Sequence, residues 1–124
     1  MDEIDLLSAS LRADSADLGA FAEALARRFE DALPRQTRVI RERRGFLSRE
    51  KAVREVTLDV DGDRYCLRNR AGAVEATRAR LSGGIALKSE PLEVPEWIDA
   101  LTGALAREAQ RSGEAQQALQ RMLT

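Results

Sequence analysis

Histidine is absent from the 124 residues, which removes imidazole acid–base catalysis, Ser-His-Asp triads and most zinc sites from the chemistry open to this chain. A single cysteine, Cys66, cannot form an internal disulfide. Aromatic residues make up only 4%, so the core has to come from Leu, Val, Ile and Ala. No apolar run approaches the roughly 20 residues that span a bilayer. Neither GxxxxGK[ST] nor GxGxxG occurs, so the common phosphate-cradling loops are missing. The opening MDEIDLL is acidic and lacks the basic segment of a signal peptide, which gives the expectation of a cytoplasmic protein. Lysine is also scarce, with 2 Lys against 18 Arg. GC-rich coding accounts for that bias and weakens arginine content as evidence for anion binding.

What remains specifies a globular domain. Hydrophobic residues are 44% of the chain, and its length suits one domain, residues 1–124. Ile4, Leu7 and Leu11 predict a short amphipathic helix over 2–12. Asp14 or Ser15 can cap a second helix, along which Leu18, Phe21, Ala22, Leu25, Phe29 and Leu33 recur at helical spacing down to Pro34. Five strands are predicted over 37–44, 53–60, 63–70, 74–81 and 84–89. Turn residues join them: Gly45, Asp61-Gly62, Ala71-Gly72 and Ser82-Gly83-Gly84. Such short links favour an antiparallel meander over parallel crossovers.

Asp61-Gly62 is a strong two-residue hairpin signal and sets a register in which Leu58 faces Tyr65 and Val56 faces Leu67. The other face then sets Asp59 against Arg64, Glu55 against Arg68 and Thr57 against Cys66. A slip of one residue would spoil turn, core and charges together. Pro95 suits a helix first turn, and Trp97, Ile98, Leu101, Ala104 and Leu105 form its apolar stripe. Arg111-Ser112-Gly113 is a candidate break, after which Ala115, Ala118, Leu119, Met122 and Leu123 resume the stripe. The expected fold is α+β: a five-stranded antiparallel meander with N-terminal and C-terminal helices on one face, in α-α-β5-α-α order. If the last segment folds back, it completes the core. If it runs straight it needs a partner, most simply a second copy, and the reading leans to a homodimer.

Charge is uneven along this order: −5 over residues 1–34, +6 over 35–80 and −2 over 81–124. The basic maximum is RERRGFLSREK, residues 41–51. Arg41, Arg43, Arg44, Arg49 and Lys51 surround Phe46 and Leu47 on the expected first hairpin loop. These seven residues are the candidate binding site. A solvated loop, with Phe46 tucked over the sheet edge and the arginines paired to Glu42, Glu50 and Glu55, accounts for them first; as a binding site, an acidic-rimmed apolar pocket on a protein partner matches them best. Nucleic acid or an anionic membrane, bound through the basic 38–54 hairpin, ranks below, because the sheet has no exposed stacking aromatics. A small-ligand carrier is a third, weaker class. Cys66 lies between Arg64 and Arg68, which could lower its pKa, but with no base beside it a bystander thiol is expected. DVDGD, residues 59–63, alternates carboxylates like a calcium loop, yet it lacks the later glutamate and sits on a tight turn. No metal or cofactor is expected. The function read from the sequence is a small non-enzymatic binding domain: an adaptor, a chaperone-like module or an assembly component.

Overall fold

The computed structural model describes residues 18–43, 51–70 and 73–111, with positions 113, 117 and 120–122. The helix expected over 2–12 lies outside the described residues. The described residues open with α1 (Leu18–Ala32), pass through β1 (Thr37–Arg43), β2 (Lys51–Val60), β3 (Asp63–Arg70), β4 (Ala73–Ser82) and β5 (Ile85–Leu92), and continue into α2 (Val94–Arg111). The strands form one antiparallel sheet in the order β1-β2-β3-β4-β5. Both helices pack on one face, giving the expected α+β meander. No described helix is long and apolar enough to cross a membrane.

The α1 stripe predicted by spacing is buried: Phe21, Ala22, Leu25, Phe29 and Leu33 meet Val56, Leu58 and Val60 of β2 and Tyr65 and Leu67 of β3. Each large aliphatic or phenyl group fully buried there contributes about 1.5–3 kcal/mol. Pro34 ends the helix, and the Thr37 hydroxyl lies within bonding reach of the Phe29 and Leu33 carbonyls (3.1 and 2.8 Å), which also accept the Leu33 and Gln36 N–H groups. On α2, Trp97, Ile98, Leu101, Ala104 and Leu105 are buried as predicted. Two aromatic polar tips, one from α2 and one from β3, are satisfied between helix and sheet. Trp97 Nε1–H donates to the Thr77 carbonyl (3.0 Å), and the Tyr65 hydroxyl donates to the Ala100 carbonyl (3.3 Å). The two rings meet edge to face at 6.3 Å.

The β2–β3 register is the predicted one, from Val60 opposite Asp63 to Glu55 opposite Arg68. Asp61 and Gly62 have φ of 51° and 80°, the pair of positive angles a type I′ turn requires. Two irregularities escape the alternation pattern. The β1–β2 register shifts between Ile40 and Arg41, and the β4–β5 register between Ala79 and Leu81. Beside the first, the Val53 N–H donates to Glu23 Oε1 of α1 (2.9 Å), so the helix takes up a donor at the bulge. β5 runs to Leu92, past its predicted end at 89, through Pro91. An edge strand tolerates proline because its outer backbone groups need no ladder partner.

A clasp joins the two ends of the fold. Gln36 donates from Nε2 to the Asp59 carbonyl and to Glu108 Oε2 (both 2.9 Å), while the Asp61 N–H donates to Glu108 Oε1 (3.2 Å). Arg107 and Arg111 both bind the Asp61 carboxylate. Positions 113, 117 and 120–122 are helical, and half-buried Met122 packs against the core. Met122 therefore serves the chain's own core, as the folded-back alternative expects; Leu123 lies outside the described residues.

Candidate functional site

The structure distributes the sequence-derived site unevenly. Arg41 and Arg43 end β1, and Lys51 opens β2. Arg44, Phe46, Leu47 and Arg49 lie outside the described residues. Arg41 is ion-paired to Glu30 of α1 and so is tied to the helix-covered side. Strand alternation carries Arg41 there, two residues on from Val39, and it sits opposite Val53, a core residue. Arg43 is exposed.

Arginines elsewhere on the sheet are largely paired as well. Arg64 donates from Nε and Nη2 to Asp59 Oδ1 and Oδ2 (2.8 and 3.0 Å), and Arg68 donates to Glu55 Oε1 (2.8 Å). Arg54 pairs with Glu42, and Arg78 with Glu90. The hairpin register placed the first two pairs in advance. A guanidinium held by a carboxylate offers a phosphate little, so these paired arginines are poor phosphate ligands.

The sheet face opposite the helices carries a different feature. Three cross-strand rows follow from the registers. One runs Ile40–Glu55–Arg68–Glu75, the next Arg38–Thr57–Cys66–Thr77–Pro91, and the third Asp59–Arg64–Ala79–Ser89. The middle row is small and uncharged between β2 and β4, while ion pairs rise on either side. The result is an open hollow of about 480 Å³ whose lining includes Ile40, Thr57, Cys66, Thr77, Ala79 and Ala86. Ile40 is 48% exposed there, and Ala79 is buried although it stands apart from the helix-side core. Sequence reasoning missed this strip because Thr, Ala and Cys carry no motif. The signal was present in the hairpin register, which sets Thr57 against Cys66 on the charged face.

Cys66 is at the centre of the strip. Its S–H donates to Glu55 Oε1 (3.2 Å), and Thr57 Oγ1 lies 4.0 Å from the sulfur. Burial, followed by the Glu55 carboxylate that accepts its proton, pushes the thiol up to about 11. Arg68 pulls the other way but is itself held by Glu55. The neighbouring cations therefore do not activate the thiol. Burial works against the charge of Glu55 too, yet the bonds from Arg68 and Cys66 leave its carboxyl below the usual range. The DVDGD carboxylates have other occupations: Asp59 binds Arg64, and Asp61 binds Arg107 and Arg111.

No protein-family model, curated protein or solved structure matches the chain.

Proposed function

We propose that the chain is a small non-enzymatic binding domain acting in the cytoplasm through protein–protein contacts, as an adaptor, chaperone-like module or assembly component, with the open face of its sheet as the docking surface. One observation carries this reading: an uncharged strip crosses a sheet face on which Arg64, Arg68 and Arg54 are already held by carboxylates. Neutral small residues between satisfied ion pairs suit a desolvated protein contact, whereas binding of nucleic acid or anionic lipid needs cations able to meet phosphates. The protonated thiol is consistent with a surface that binds rather than reacts.

The test compares the wild-type chain with Thr57→Arg, which plants a long cation in the strip while leaving the helix-side core untouched. Each is used as bait in lysate of the native host, with and without nuclease treatment, after melting curves establish that both are folded. The expected result is a protein retained by the wild type and lost by the variant. Retention of the same proteins by both, of nucleic acid or lipid in place of protein, or of nothing at all overturns the reading.

A further inference from the structure

We infer that the open sheet face receives an amphipathic α-helix of a partner protein, laid along the diagonal from Ile40 to Ala86, with an acidic flank towards Arg38 and a basic flank towards Glu75. The inference rests on the docking reading above and specifies its partner.

The occupant's backbone decides its conformation. Every strand under the strip is paired within the sheet, so a segment lying on the face obtains no ladder bonds from it. An extended segment would bury unsatisfied N–H and C=O groups, whereas a helix satisfies its own.

The diagonal across the face matches the length of one helix. Ile40 lies in the first row on β1, and Ala86, opposite Leu81, lies beyond the third row on β5. The path crosses four strand gaps and about three two-residue steps, roughly 28 Å, which equals roughly 18 helical residues or five turns.

Charge supplies the flanks. Arg38 and the Asp59–Arg64 pair lie on one side of the diagonal; the Glu55–Arg68 pair and Glu75 lie on the other. With the internal pairs cancelled, Arg38 leaves the first side positive and Glu75 leaves the second negative. Among the described residues neither has an ion-pair partner. A helix with like charges on both flanks would satisfy one side and be repelled by the other.

The test uses three synthetic 18-residue helical peptides sharing a Leu/Ala stripe: one with Glu on one flank and Lys on the other, one with Glu on both, one with Lys on both. Binding to the full chain is followed by amide chemical shifts. The mixed peptide should bind tightest, with shifts centred on Thr57, Cys66 and Thr77. Arg38→Glu makes both sides negative and should turn the preference towards the all-Lys peptide. Glu75→Lys should turn it towards the all-Glu peptide. Each rim charge should change relative affinity roughly two- to fivefold. Absence of binding by all three, shifts centred elsewhere, or preferences unmoved by both reversals refutes the helix. If Thr57→Arg nevertheless abolishes capture of a native partner, the docking surface stands and only the identity of its occupant falls.

Discussion

The Cys66 thiol offers the sharpest quantitative test of the local chemistry. Burial and its bond to Glu55 push it up to about 11, against about 8.5 for an ordinary cysteine. At pH 8 the ordinary thiol is roughly one-quarter thiolate and this one roughly a thousandth, about a 240-fold smaller supply of nucleophile. A more basic thiolate attacks faster. With a Brønsted slope of about 0.4–0.5, two and a half pKa units recover a little over tenfold. The net expectation is reaction with a disulfide reagent roughly 20-fold slower in the folded chain than in urea at pH 8. Stopped-flow rates from pH 7 to 10.5 should rise without an inflection until above pH 10. Glu55→Gln removes the negative charge that favours the protonated thiol and should bring the inflection down. A folded-state inflection below about 9, or a folded rate equal to the unfolded one, would refute the burial and bonding account and reopen thiol chemistry at the centre of the strip.

Three further outcomes follow from the same geometry. Gly62→Val should cost about 1–2 kcal/mol in urea denaturation with an unchanged m-value, because a built Cβ meets nothing within 4 Å and only the φ of 80° penalises it. Reversing Arg64 and Asp59 together should recover part of the loss caused by either reversal alone, with a coupling of about 0.2–1 kcal/mol in thermal melts; no coupling would contradict the bidentate pair. Asp61→Asn keeps a residue tolerant of positive φ and removes the charge that Arg107 and Arg111 bind. The Arg107 bond leads in holding this carboxyl below its usual value. Its stabilisation is present above the unfolded pKa of about 3.9 and is lost as pH falls through the folded one, so the variant's deficit should vanish in acid. A deficit independent of pH would assign it to the turn instead.

The fold was legible wherever several requirements agreed on one answer. At Val56–Leu67 the turn, the apolar alternation and the charge pairs selected a single register, and α1 and α2 were marked by apolar spacing and prolines. Alternation alone could not reveal the bulges, since an extra residue changes which face a side chain takes without changing composition. Arg41 counted as part of an exposed basic tip because residues 41–51 read as one loop, whereas β1 runs on to Arg43 and strand alternation turns Arg41 back towards Glu30. β5 runs past its expected end at 89, because an edge strand tolerates Pro91. The open strip stayed hidden because it needs three registers at once, and only the β2–β3 register was readable.

The Gln36–Glu108–Asp61 clasp has a consequence for synthesis. Each strand pairs with its neighbour in sequence, so the sheet can assemble from local contacts as the chain emerges. The clasp instead joins groups 47 and 72 residues apart and waits for the last helix. At about 5–20 residues per second, the stretch from Leu92 to Glu108 takes roughly one to three seconds to make. During that interval Tyr65 lacks the cover that Trp97 and the Ala100 carbonyl later provide. Rare codons or a stalled ribosome within α2 would prolong a sticky intermediate, so yield in the cell should depend on translation speed through this helix more than through any strand.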